Sequence, residues 1–165
     1  AMKDYDVIVI GPGVGAIIVE QALIHDLKVA LVDKGPLGGT CLNVGCIPSK
    51  ILIFPADRIV EIREAAKFGV QAEIKEVDFK AIMERMRRIV QGSQNHIRER
   101  IEYVKELDFY GDVGFFVDDY TLEVGGEKIK GQTIFIACGA KPLIPLIKGI
   151  ENVDYLTNES VLELD

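Results

Sequence analysis

A glycine-rich turn between two short apolar runs limits this chain to very few folds. Tyr5–Ile10 is rich in Val and Ile and suits a strand buried on both faces. Gly11-Pro12-Gly13-Val14-Gly15 breaks it. A helix is predicted from about Val14 to Asp26, with Ile17, Ile18, Leu23 and Ile24 as candidate inward positions. Lys28–Asp33 then reads as a second buried strand. Strand, helix and strand with such tight links form a right-handed unit that pairs its strands in parallel. The expected fold is therefore α/β, with a Rossmann-like parallel sheet, and 165 residues are enough for one cored domain.

The loop Gly11-Pro12-Gly13-Val14-Gly15-Ala16 fits G-x-G-x-x-G/A after a strand and at the opening of a helix. Gly11 permits the tight turn, Gly13 lets the backbone approach a pyrophosphate, and Ala16 is small enough for the helix to pack on the strand. The helix N-terminus turns free N–H groups and a positive dipole end toward phosphates. Pro12 takes one N–H away from that cradle. Asp33 stands 22 positions beyond Gly11, at the end of the second strand, where a carboxylate can accept bonds from an adenosine ribose. Gly11, Gly13, Gly15, Asp33 and the adjoining Lys34 are the candidate contacts of a dinucleotide. The bland alternative is a turn chosen only for tight packing, with Asp33 a solvated strand end. The loop alone does not separate FAD from NAD.

Composition narrows the function classes. With 19 Lys+Arg against 26 Asp+Glu the net charge is −7, which argues against a general nucleic-acid or anionic-membrane binder. No run of 18 apolar residues occurs, and Val7–Ile10 is too short for a secretory signal, so no membrane segment and a cytoplasmic location are the expectation. The leading Ala1-Met2 reads as the remnant of an expression tag. Three cysteines are an odd number, against a pure disulfide framework. The spacing of Cys41 and Cys46 is not that of a zinc site, and His25 and His96 read as solvated helix residues, so no metal is expected.

Lys34–Thr40 reads as a loop, and from Cys41 to about Phe68 the pattern is helical, interrupted by Pro48 and Pro55. Asp78 looks like the cap of a long helix whose apolar stripe includes Phe79, Ile82, Met83, Met86, Ile89, Val90, Ile97, Ile101 and Val104. Beyond Leu107 come strand-like runs at Asp108–Val117, Thr121–Val124, Lys128–Ile129 and Thr133–Ala137. Gly125-Gly126 signals a hairpin among them. A long helical hairpin and a small antiparallel meander thus join the parallel sheet. Residues 3–150 read as one domain and 151–165 as a weakly patterned connection.

Two cysteines five positions apart on an ideal helix have Cα atoms about 8.7 Å apart, and a disulfide needs less than about 7 Å. A regular helix cannot carry the bond, but Asn43 and Gly45 tolerate an irregular backbone between them. Two readings follow: a redox-active couple, or two buried free thiols.

Gly38-Gly39-Thr40-Cys41-Leu42-Asn43-Val44-Gly45-Cys46-Ile47-Pro48-Ser49-Lys50 resembles the signature of the class I pyridine nucleotide-disulfide oxidoreductases. These flavoproteins include dihydrolipoamide dehydrogenase, glutathione reductase and mercuric reductase. Leu42, Ile47 and Ser49 lean toward dihydrolipoamide dehydrogenase, and mercuric reductases differ little here. The resemblance continues through Gly114-Phe115-Phe116 with Thr121–Val124, through Ile134–Pro142 against the family's A-T-G-x-x-P segment, and through Thr157–Leu164.

It implies an FAD-binding amino-terminal portion that relays electrons between a dithiol or disulfide substrate, a Cys41–Cys46 disulfide, FAD and NAD(P), the last through domains not seen in this sequence. Cys46 would be the thiol packed against the flavin, and Cys41 the interchange thiol that meets a dithiol or disulfide substrate. Lys50 would lie near the reactive flavin nitrogen. Gly39 and Thr40 would touch the pyrophosphate, Asp33 the ribose, and Gly114 the adenine end through its backbone. Cys138 and Gly139 would line the cofactor cleft. The alternatives are a mercuric or glutathione reductase-like fragment, or a non-catalytic FAD-binding module needing a partner chain. The partners implied are FAD, and either self-association or a complementing C-terminal chain.

Two departures stand out. Val19 and Glu20 occupy positions where the family has two alanines on the first helix, which questions that helix's close packing. Cys138 replaces a threonine, and its expected state is a small buried hydrophobe.

Overall fold

The computed structural model describes residues 2–165. The chain divides into two compact units, 1–41 with 93–140 and 42–92 with 141–165.

The first unit is built on a six-stranded sheet in the order β3-β2-β1-β6-β5-β4. Its strands are β1 (Lys3–Ile10), β2 (Val29–Val32), β3 (Leu107–Tyr110), β4 (Gly114–Asp118), β5 (Thr121–Val124) and β6 (Glu127–Ile136). β1 pairs in parallel with β2 and β6, and β2 with β3. β4, β5 and the start of β6 form the antiparallel meander. Gly125 and Gly126, at φ 57° and 81°, make the β5–β6 hairpin turn, conformations that glycine adopts without steric cost. The run predicted as Asp108–Val117 is two strands, divided by the turn at Gly111-Asp112, where the Asp112 carboxylate accepts from the Val113 N–H at 2.7 Å.

Helix α1 (Gly15–Ile24) covers one sheet face, burying Val19 and Ala22 among Val7, Val9, Val29, Leu31 and Leu107. Of the predicted inward set, Ile18 and Leu23 pack against this core, and the other two do not. Ile17 and Ile24 are each 63% exposed, while Gly15, Val19 and Ala22 are buried. Gly15 fixes that rotation, because a Cβ there would sit 2.6 Å from Val9 Cγ1. Gly15 therefore makes the close helix–strand contact assigned to Ala16, which is exposed. Val19 is absorbed in the core and Glu20 reaches solvent.

On the other face, Tyr5, Ile8, Ala30, Val32, Leu122, Val124 and Ile129 form a second core. Its polar member is satisfied locally. The Tyr5 hydroxyl donates to Asp108 Oδ2 at 2.5 Å and lies 2.7 Å from the Tyr110 hydroxyl. The Lys28 ammonium stands 4.6 Å over the Tyr5 ring. Burial, with these hydrogen bonds, pushes the Tyr5 phenol far above its ordinary range.

In the second unit, α3 (Cys46–Glu64) packs on the first half of α4 (Phe79–Glu102). Asp78 caps α4 as expected, accepting from the Ala81 N–H at 2.8 Å. The core is Met83, Met86, Val90 and Leu162, with Val44, Ile51, Leu52 and Val161 against it. The last residues are anchored. Arg87 donates to the Leu164 carbonyl at 2.8 Å and to Asp165 Oδ1 at 3.0 Å. The helical run 39–68 reaches a mean hydropathy of 1.2 over its best 18 residues, enough by length and composition for a membrane span, and only 6% of that window is buried. It is no single rod. A break at Val44-Gly45 separates α2 (Gly39–Asn43) from α3, which runs on through Pro55.

Candidate functional site

The loop between β1 and α1 is held from several sides. Gly11 N–H donates to the Val32 carbonyl at 2.9 Å, and Ala137 N–H donates to the Ile10 carbonyl at 2.7 Å. Gly11 adopts φ 104°, and a Cβ there would lie 2.2 Å from the Ala137 oxygen. Neither neighbour leaves room for another residue. Gly39, at φ 64°, backs onto Gly13, and a Cβ on it would sit 2.5 Å from the Gly13 Cα. Gly139, at φ 74°, faces Thr40, whose Oγ1 is 3.9 Å from its ideal Cβ position. The structure thus brings Gly11, Gly13, Gly15, Gly39, Thr40, Cys138 and Gly139 around the start of α1.

Gly13 differs from its neighbours in one respect. A Cβ there would meet only the Gly39 Cα, at an ordinary 3.7 Å. Packing within the protein does not demand a glycine at this position. A glycine there leaves the backbone open to close approach, which a pyrophosphate at a helix N-terminus requires. The N-cap position of α1, Val14, makes no side-chain capping bond. This opening fits a dinucleotide phosphate.

Asp33 ends β2. Its N–H donates to the Tyr110 carbonyl at 3.0 Å, and its carboxylate accepts from the Gly35 N–H at 3.2 Å. Burial pushes the carboxyl above its ordinary range, against the downward pull of the Gly35 and Lys34 amides. Lys34 beside it is exposed. Gly114 lies on β4 across from β2, where a Cβ would press on Leu122 at 2.9 Å and Val32 at 3.2 Å. Its glycine is explained by packing.

Cys41 and Cys46 form a disulfide. Cys41 lies in α2, and Cys46 is the first residue of α3. The break at Val44-Gly45, with Gly45 at φ −133° and ψ −119°, supplies the irregular backbone that a straight helix denies. Both cysteines are exposed, as is Lys50 one turn further along α3. Cys138 is a correction. It is a free thiol and exposed, because it lies just past the end of β6 rather than within the sheet. Among the described residues no three His, Cys, Asp or Glu side chains cluster as a metal site.

One residue at this site escaped the sequence reading. The Asn158 side-chain amide donates to the Val44 carbonyl at 3.1 Å, between the two cysteines. It lies in the stretch read as a weakly patterned connection, and its only sequence signal was the turn composition of Thr157-Asn158-Glu159-Ser160.

Residues 5–165 match the family described as pyridine nucleotide-disulphide oxidoreductase. The mercuric reductase of Lysinibacillus sphaericus is 34% identical over 165 residues, which are 98% of this chain and 30% of that protein. A mercuric reductase of Bacillus cereus is 37% identical over 171 residues, covering 98% and 26%. The mycothione reductase of Mycobacterium tuberculosis is 29% identical, covering 99% and 37%. Among solved structures, the HOCl-induced flavoprotein disulfide reductase RclA from Escherichia coli superposes with a TM-score of 0.78 at 26% identity, covering 97% of this chain and 34% of that one. The chain spans about a third of the length of these relatives. It belongs to the pyridine nucleotide-disulphide oxidoreductase family, of which it carries the amino-terminal, flavin-binding part with a disulfide between Cys41 and Cys46.

Proposed function

We propose that this chain holds FAD along the cradle of Gly11, Gly13, Gly39 and Thr40 and exchanges electron pairs with it through the Cys41–Cys46 disulfide. The carrying observation is covalent continuity: the redox cysteine Cys41 follows the cradle residues Gly39 and Thr40 directly, on the same short helix. The bound flavin supplies a two-electron carrier between nicotinamide and thiols. Asp33 accepts from the adenosine ribose, Lys34, Gly114, Cys138 and Gly139 border the cofactor, and Lys50 sets the charge beside the disulfide.

The two cysteines have different tasks. Cys46, at the N-terminus of a 19-residue helix, is the thiol that the helix dipole favours as thiolate once the disulfide opens. Cys41 is exposed and serves as the sulfur that exchanges with substrate. With the pair reduced, the Cys41 thiolate and one sulfur of a substrate disulfide form an S–S bond as the substrate's own S–S bond breaks and its other sulfur leaves as thiolate. The Cys46 thiolate then re-forms the Cys41–Cys46 bond as the second substrate sulfur leaves. Nicotinamide binding and the proton-transfer groups belong to the other two-thirds of the relatives' length, in this polypeptide or a complementing one.

The substrate class follows from the relatives' names: a disulfide or a thiol-bound metal ion, reduced at the expense of NAD(P)H. Oxidation of a dithiol, as in dihydrolipoamide dehydrogenase, is the second reading, favoured by Leu42, Ile47 and Ser49. A flavin-holding module without thiol chemistry is the non-enzymatic alternative. The visible spectrum of the chain mixed with FAD and reduced with dithiothreitol separates them. The expected result is a long-wavelength band that Cys46→Ser abolishes and Cys41→Ser keeps. Flavin binding with no band in any form favours the non-enzymatic module, and no flavin binding overturns both.

A further inference from the structure

We infer that Asn158 is a positioning residue for the disulfide, holding the Val44 carbonyl at the break between α2 and α3. The inference rests on the redox reading of Cys41–Cys46 proposed above. The Val44 carbonyl precedes Gly45, the N-cap of α3, and so has no intrahelical donor. The next carbonyl, that of Gly45, does receive its helical partner, from Ser49 N–H at 3.2 Å. Val44 is therefore where the helical ladder fails, between the two cysteines. The Asn158 Nδ2 donates to it at 3.1 Å, from 114 positions away.

Asn158 is held for this task by its neighbours. Thr157 N–H donates to Ser160 Oγ at 2.8 Å, and the N–H groups of Glu159 and Ser160 each donate to Thr157 Oγ1 at 3.2 Å. Val161 and Leu162 follow directly and pack in the same core as Val44. Arg87 fastens the residues beyond, on the Leu162, Leu164 and Asp165 oxygens. The segment is a clip whose Asn158 side chain reaches the Val44 carbonyl of the redox loop.

The consequence concerns the balance between disulfide and dithiol. A fixed Val44 peptide holds Cys41 and Cys46 in the bent arrangement that closes the bond. Without the anchor the loop gains freedom when reduced, and closing it costs more. Loss of one hydrogen bond of this kind changes an equilibrium by about three- to ten-fold. The step is ordinary exchange: two glutathione thiols lose two electrons and two protons and join as glutathione disulfide, while the Cys41–Cys46 bond opens to two thiols.

The test measures that equilibrium constant on the whole chain, in glutathione buffers, by mass spectrometry after alkylation, with no flavin added. Asn158→Ala is expected to favour the dithiol by three- to ten-fold, where ten-fold equals about 30 mV for a two-electron couple. Asp78→Ala, which removes the cap of α4, should lower stability without moving the constant. Asn158→Asp, whose carboxylate cannot donate to a carbonyl, should shift the constant as Asn158→Ala does. An unchanged constant in a folded Asn158→Ala protein, or a wild-type constant for Asn158→Asp, overturns the inference. Because the readout needs no flavin, those results leave FAD binding untouched. A chain that binds no FAD would fail the functional proposal separately.

Discussion

Three glycines distinguish at single-residue scale what the backbone requires from what a ligand requires. Gly11→Ala places a methyl 2.2 Å from the Ala137 oxygen at φ 104°, and it is expected to cost about 3 kcal/mol or more in urea unfolding. Gly69→Ala, at φ 79° with nothing within 4 Å, should cost only the left-handed conformation, about 1 kcal/mol. Gly13→Ala meets ordinary contact only, so stability should stay within about 0.5 kcal/mol of wild type. Its FAD affinity should nonetheless fall at least about ten-fold, worth 1.4 kcal/mol; unchanged affinity would remove Gly13 from the cradle. Asp33 adds a pH signature. Its carboxyl sits above the ordinary range because it is partly buried, so acidification protonates it earlier than a solvated Asp. A protonated carboxyl accepts ribose hydrogen bonds poorly. FAD affinity should weaken as pH falls through that raised value, and Asp33→Asn should bind more weakly at neutral pH without this dependence. Titration of flavin fluorescence at a series of pH values checks both.

Among the elements, α4 allows the clearest energetic forecast. Asp78→Ala removes a 2.8 Å bond to Ala81 N–H and should cost about 1 kcal/mol. Met83→Ala opens a cavity at a residue 1% exposed and should cost about 2–4 kcal/mol, read by thermal or urea unfolding. The parallel unit, the cap at Asp78, the Gly125-Gly126 hairpin and the meander were all legible, because periodicity and turn chemistry are local. So was the need for an irregular backbone between Cys41 and Cys46, since helix geometry alone forbids a bond across it. What was not legible depends on contacts distant in sequence. The buried face of α1 was half legible: Ile18 and Leu23 pack inward, but one close contact, Gly15 on Val9, rotates the helix and leaves Ile17 and Ile24 outward. Burial of Cys138 failed because the strand ends two residues before it. Asn158 was invisible because its partner is a backbone carbonyl, which no side-chain pattern records.

At the scale of the molecule, apolar exposure is the feature with consequences. Phe68 is 82% exposed, Leu143 is 90% exposed, and Phe54 and Ile53 on α3 are more than half exposed. Surfaces of this kind associate in water. Light scattering across a dilution series is expected to show concentration-dependent self-association, reduced by Phe68→Ser with Leu143→Ser; a monodisperse monomer throughout would contradict this. A different property follows from the buried tyrosine beneath the sheet. Folding holds the Tyr5 phenol in its neutral form, whereas an unfolded chain ionises it near pH 10. Above that pH the unfolded state has lost a proton that the native state keeps, so stability falls as pH rises. The chain has five tyrosines and no tryptophan. Its near-ultraviolet phenolate absorbance therefore carries its own clock: Tyr5 stays silent in strong alkali while the sheet is intact, and its late appearance times the release of its hydroxyl from Asp108 and Tyr110 without any label.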